Sequence, residues 1–219
     1  MSDEFSRIPR LDKFYQQYLD DENSATFIKS VSQLYRLGTL ERLARFGGVI
    51  SRRAAVLSIG FLGDFRFNET MGQALNDSDR AVRILADHGI REIWTRDGAA
   101  YQQRMLCKIM QLNNRCRLHE AIELADKLIH LNPNIAETWN QRAIAKYGLQ
   151  DFSNAIDDCR ESMYLNRFHF GASLGVANCY LELEQNLPAL EFFRLALSIH
   201  PDLESVRSQI DQLERTLEG

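Results

Sequence analysis

Three alanines, Ala121, Ala155 and Ala189, stand 34 residues apart in a chain of 219. The same interval separates Ile122, Ile156 and Leu190, and again Leu131, Leu165 and Ile199. Pro133 and Pro201 keep the register at twice the interval, with Arg167 at the midpoint. A register that holds through three copies constrains the fold more than any local propensity. Each copy must be the same supersecondary unit, and one unit cannot bury its apolar side except against the next. The repeat covers residues 102–203, about half of the chain.

Each copy contains two apolar-periodic segments with a short break between them. In the middle copy they run over 135–148 and 152–165, which predicts a helix pair. Asp151 stands where an N-cap carboxylate can accept free backbone N–H groups. Pro133 and Pro201 close one copy and open the next, and Pro188 fits a first helical turn. The alanines let paired helices approach. Trp139, Phe152, Tyr180 and Phe193 are large enough to fill the space between copies. Residues 203–217 carry Val206, Ile210, Leu213 and Leu217 on one stripe, the pattern of a terminal capping helix.

These residues resemble the tetratricopeptide (TPR) family. The middle copy reads Ala136-Glu137-Thr138-Trp139 and then Asp151-Phe152-Ser153-Asn154-Ala155-Ile156. The third carries Ala177, Tyr180, Ala189, Phe193, Ala196 and Pro201 at the family's signature places. The first copy departs, with Met105, Lys108 and Ile109, and the second has Lys146 in the usual tyrosine place. The resemblance implies a concave groove lined by the first helix of each pair, and a protein or peptide partner in it. The implied partner-binding residues are Leu106, Met110, Asn113, Asn140, Tyr147, Asn178 and Leu181. Gln103, Asn114, Glu137, Ile144, Gly148, Gly171, Leu174 and Glu182 complete the register. For Ile144 and Leu174 the alternative is packing against the next helix, and the C-terminal segment is an alternative occupant of the groove. Members that bind chaperone tails clamp a terminal carboxylate with lysines, asparagines and arginine. Leu106, Met110, Gln141, Gly171 and Gly175 occupy those places here, which argues against that activity.

A different spacing appears between residues 39 and 97. Arg52, Ala55 and Ile59 recur as Arg83, Ala86 and Ile90, 31 residues on. The second copy is led by Asp77-Ser78-Asp79-Arg80, and resembles a HEAT unit. In that family an aspartate in the inter-helix turn and an arginine early in the second helix tie neighbours together. Residues 36–96 hold ten arginines, no lysine and seven acids, against a net of about −5 for 97–219. Arg42, Arg45, Arg52, Arg53 and Arg83 could form a basic face toward phosphate. The competing expectation, which is preferred, is that several of them pair with Asp79, Asp87 and Glu92 inside the stack.

Little else points to chemistry. The five histidines are scattered, none in a metal-ligand spacing. His130 and His200 fall at helix C-termini, where a partial positive charge suits the helix dipole. Asp77-Ser78-Asp79 lacks the glycine and terminal glutamate of a calcium loop. Asp157-Asp158 reads as a solvated helix face. Gly60, Gly63 and Gly72 make no phosphate loop, and no nucleophile motif occurs. Cys107, Cys116, Cys159 and Cys179 read as small buried hydrophobes of a reducing compartment. No apolar run approaches a membrane span, and residues 1–7 have no secretory pattern. A net charge of −4 disfavours bulk nucleic-acid binding.

The expectation is therefore an all-α, right-handed helical-repeat solenoid: HEAT-like units, then three TPR-like helix pairs and a capping helix. The boundaries are a polar N-terminal segment over 1–22, HEAT-like repeats over 23–97, and a TPR region over 98–219. The expected role is a cytoplasmic, non-enzymatic scaffold or adaptor binding a protein or peptide, without metal or cofactor. The alternative is a nucleic-acid-associated repeat protein using its arginine-rich half.

Overall fold

A computed structural model describes residues 9–218. Every regular element among them is helical: thirteen α-helices and one 3-10 turn, with no strand. The all-α helical-repeat architecture read from the sequence holds. The chain divides into two compact units, Met1–Ile93 and Trp94–Gly219.

The first unit contains α1 (Arg10–Asp21), α2 (Ser24–Leu34), α3 (Leu37–Phe46), α4 (Val49–Leu62), a 3-10 turn (Phe65–Phe67), α5 (Asn68–Ala74) and most of α6 (Arg80–Thr95). Residues 1–8 of the expected polar segment, and with them the reading of a missing secretory pattern, lie outside the described residues. From residue 10 the segment is the helix α1. Leu11 and Tyr15 are buried, and α1 is held by Ser51 Oγ donating to Asp12 Oδ1 at 2.7 Å and by the Leu11 N–H donating to Tyr35 Oη at 3.0 Å. Asn23 caps α2, accepting the Thr26 N–H at 3.0 Å. That helix ends at Leu34. The central helix is α4, which packs on α1, α2 and α3 and buries Ala54, Ala55, Val56, Ser58, Ile59 and Gly60. Gly60 and Gly89 let α4 and α6 cross at backbone distance. A Cβ on Gly60 would lie 3.0 Å from Gly89 Cα, and one on Gly89 would lie 2.5 Å from Met71 Cε.

The second unit holds α7 (Ala100–Asn114), α8 (Leu118–Leu131), α9 (Ala136–Gly148), α10 (Phe152–Leu165), α11 (Phe170–Glu182), α12 (Asn186–Ile199) and α13 (Glu204–Glu218). These are the three expected pairs and the cap. The repeat extends to the backbone. Cys116, Gln150 and Glu184 all adopt the left-handed conformation, at φ 55°, 62° and 58°. After each, an N–H reaches back five residues: Arg117 to Leu112 O, Asp151 to Lys146 O and Gln185 to Tyr180 O, at 2.8–2.9 Å. This closes the last carbonyls of every first helix in the same way. The second helices end alike too. Asn132, Asn166 and His200 are extended, and each side chain accepts the N–H two residues on.

Three apolar clusters run through the unit. Leu106, Ile109, Ala121, Ala125 and Leu128 build the first. Ala143, Ala155, Cys159, Ala172 and Val176 build the second. Ala177, Ala189 and Phe193 meet Val206, Ile210 and Leu213 of α13 in the third. The cap therefore packs on α12 rather than lying in a groove, while Leu217 stays exposed.

Several side chains differ from the sequence reading. Trp139 is only half-buried, its indole N–H donating to Pro133 O at 2.7 Å. Asp151 does not cap α10 with its side chain; its carboxylate accepts the Asn154 amide instead. Asp158 is buried, not solvated. It pairs bidentately with Arg142 at 2.6 and 2.8 Å and with Lys146 at 2.7 Å. Arg142 also reaches Asp126 at 2.5 Å, so α8, α9 and α10 share one charge network. Cys107 and Cys116 are exposed, one on the solvent side of α7 and one in the turn after it. Cys159 and Cys179 are buried. Burial pushes the Cys179 thiol up to about 11 and raises that of Cys159 as well.

Candidate protein-interaction surface

In the second unit, α7 touches α9 and α9 touches α11, while α8, α10 and α12 approach one another less closely. The first helices are thus on the inner side of the bend. On the inner register of α11, Gly171, Leu174, Asn178 and Leu181 are half-buried and Glu182 is exposed, at helical spacing. On α9, Ile144 is 46% exposed and Tyr147 36%. Tyr147 Oη donates to Glu182 Oε1 at 3.0 Å, joining the ends of the two helices. Burial, with Glu182 next, raises the phenol of Tyr147. Met110 on α7 is half-buried. These side chains form one apolar face with amide and carboxylate groups among them.

Other residues of the expected groove are taken up by the fold. Leu106 is fully buried in the first cluster, so it lines nothing. Asn113 Nδ2 donates to Gln141 O and Gln141 Oε1, at 2.8 and 2.9 Å, across the α7–α9 contact. Asn140 is buried, with Nδ2 donating to Glu137 Oε1 at 3.2 Å. Leu174 and Leu181 pack by part of their surface against the third cluster and Met110 against the first, whereas Ile144 is exposed.

Glu137 is the centre of a cluster that no sequence motif marks. Its Oε1 also accepts Gln141 Nε2 at 2.7 Å, and Oε2 accepts His169 Nε2 at 2.8 Å. His169 Nδ1 accepts the Ala172 N–H at 3.0 Å, so the ring proton is on Nε2 and points at the carboxylate. Trp94 stacks on His169, with centroids 4.3 Å apart and planes at 16°. Burial alone would raise the Glu137 carboxyl; the donors from His169, Gln141 and Asn140 outweigh it and hold it below the usual range. The cluster ties the start of α9 to the start of α11.

The arginines of the first unit are largely engaged. Arg52 grips Asp77 with two bonds of 2.8 Å and also donates to Gly47 O. Arg53 grips Asp79 at 2.6 and 2.8 Å, holding that carboxyl down at about 2. Arg45 donates to Thr70 Oγ1 and pairs with Glu41, and Arg83 donates to Asp77 O. Arg42 is exposed. Guanidiniums bonded bidentately to carboxylates have few donors left for phosphate.

Among the described residues no three His, Cys, Asp or Glu side chains gather as metal ligands, and no helix is long and apolar enough to cross a membrane.

No family model matches the chain. It is similar to a TPR repeat-containing protein of Rhizobium etli, 25% identical over 143 residues, 65% of this chain and 69% of that one. Among solved structures, the Arabidopsis OM64 TPR domain matches at 23% identity and TM-score 0.51, covering 52% of this chain and 95% of that domain. The first TPR of Spaghetti (RPAP3), bound to the HSP90 peptide SRMEEVD, matches at 19% and TM-score 0.52, covering 54% and 94%. About half of the chain thus has the fold of TPR domains.

Proposed function

We propose that the protein is a non-catalytic interaction module whose α7–α9–α11 face holds a segment of another protein. The observation that carries this reading is the exposed pair Ile144 and Tyr147 of α9 beside the half-open stripe of α11. Exposed apolar side chains beside a half-open helix face suit the side chains of an extended or helical segment. Asn178 can bond the backbone of such a segment whatever its sequence.

The neighbour bound to an HSP90 peptide does not transfer its ligand to this reading. A carboxylate clamp needs cations where Leu106 and Gln141 are buried. At Gly175 a Cβ would lie 2.7 Å from Cys159 Sγ, so a longer side chain there meets α10. The first unit is taken as HEAT-like support for this module. What favours that is Asp77 and Asp79, in the turn before α6, gripped by Arg52 and Arg53 of α4.

The test compares capture of native partners by wild type, by Ile144→Asp, and by Tyr164→Asp. Tyr164 is 84% exposed on the second helix α10. Capture should be lost in the first variant and kept in the second, with melting temperatures unchanged. Equal loss in both, or loss in neither, overturns the reading.

A further inference from the structure

We infer that the segment held on this face is apolar along one side and basic, with its lysine or arginine paired to Glu182. The inference rests on the reading that the face is a peptide site, and it adds the charge of the occupant. Across the inner register of α7, α9 and α11 there is no lysine or arginine. Its two charged side chains are Glu137 and Glu182. Glu137 is buried and satisfied by three donors from His169, Gln141 and Asn140. Glu182 is exposed on the last residue of α11. Its Oε1 accepts the Tyr147 hydroxyl, and its Oε2 accepts no hydrogen bond among the described residues. Tyr147 thereby fixes a carboxylate at the edge of the apolar face.

The helix ends agree in sign. The first helices are corresponding members of successive repeats, so their C-termini share an edge, and that edge carries partial negative charge. Glu182 and Tyr147 stand there. At the opposite edge, where N-termini would favour an anion, the protein places the Glu137 carboxylate. Both edges therefore disfavour an acidic tail, and one of them favours a cation next to Leu181 and Ile144.

The test is fluorescence anisotropy of the full chain with two labelled probes: an amphipathic peptide of leucine and lysine, and the acidic peptide SRMEEVD. The leucine–lysine probe should bind about tenfold tighter or better. Glu182→Gln should weaken it about threefold and Glu182→Lys about tenfold, since an exposed pair is involved. Asp157→Lys, the same charge change at an exposed position of α10, should leave affinity within about twofold. Preference for SRMEEVD, or Glu182→Lys no weaker than Asp157→Lys, overturns the charge assignment. In that event Ile144→Asp must still abolish binding of whichever probe is held, or the site itself is wrong. Binding of neither probe up to about 1 mM overturns both readings.

Discussion

Glu137 shows how a buried carboxylate can be stable without a catalytic role. Each of its oxygens is met by donors, and the donors come from its own helix turn and from the start of α11. Glu137→Gln keeps the shape but turns an amide N–H₂ toward one of those donors. The expected cost is about 1–3 kcal/mol in urea unfolding at pH 7. The sign with pH follows from the depressed carboxyl. Its contribution is present above the unfolded value of about 4.3 and is lost as pH falls through the lower folded value. The gap between wild type and Glu137→Gln should therefore narrow below about pH 4, and a gap constant with pH contradicts the account. A second residue-scale expectation concerns Gln150, whose φ of 62° is strained for a side chain. Gln150→Gly relieves about 1–2 kcal/mol of strain against about 0.5–1 of added chain entropy. The unfolding midpoint should rise slightly, and a fall shows that the Gln150 side chain holds the turn. Neither feature was legible in the sequence. His169 is 32 residues from Glu137 and in another repeat, so no local spacing marks the pair. Cys116, Gln150 and Glu184 repeat a backbone conformation without repeating a residue type. Asn132, Asn166 and His200 repeat a hydrogen bond with two different side chains, which a search for identical residues passes over.

At the scale of elements, the sequence was most informative where the apolar period was long. The pairs α9–α10 and α11–α12 and the cap α13 fall close to where periodicity placed them. Apolar and small positions decide such packing, and they recur. Asp158 departs from the solvated face that its charge suggests. It is instead paired with Arg142 and Lys146 of the neighbouring helix, which removes the cost of burial. Trp139 departs in the converse way: its ring is large enough for the core yet only half-buried. In the first unit the decisive contact is between two residues without side chains. Gly89→Ala would drive a methyl to 2.5 Å from Met71 Cε, and Met71 is fully buried. Alanine improves helix propensity by about 1 kcal/mol, while overpacking costs about 1–3. The net expectation is a lower melting temperature for Gly89→Ala. A melting temperature at or above wild type would mean that α4 and α6 do not cross at Gly60 and Gly89.

At the scale of the molecule, the chain divides between Ile93 and Trp94. Repeat arrays are stable when each internal pair is covered and both outer faces are polar. The second unit meets both conditions from its own residues. Its last pair is covered by Val206, Ile210 and Leu213 of α13. On its first helix, the outward stripe of Ala100, Arg104, Cys107, Lys108 and Gln111 is exposed and mostly polar. No large apolar side chain of that stripe needs a cover. Residues 94–219 produced alone, keeping Trp94 on His169, should therefore fold. The expected result is a helical circular dichroism spectrum and a single urea transition that coincides for Trp fluorescence and ellipticity. The denaturant slope should be that of a domain of this size. A broad transition, or strong binding of a hydrophobic dye, would show that α7 needs cover from the first unit, and the arginine-rich half would then be part of the same cooperative array.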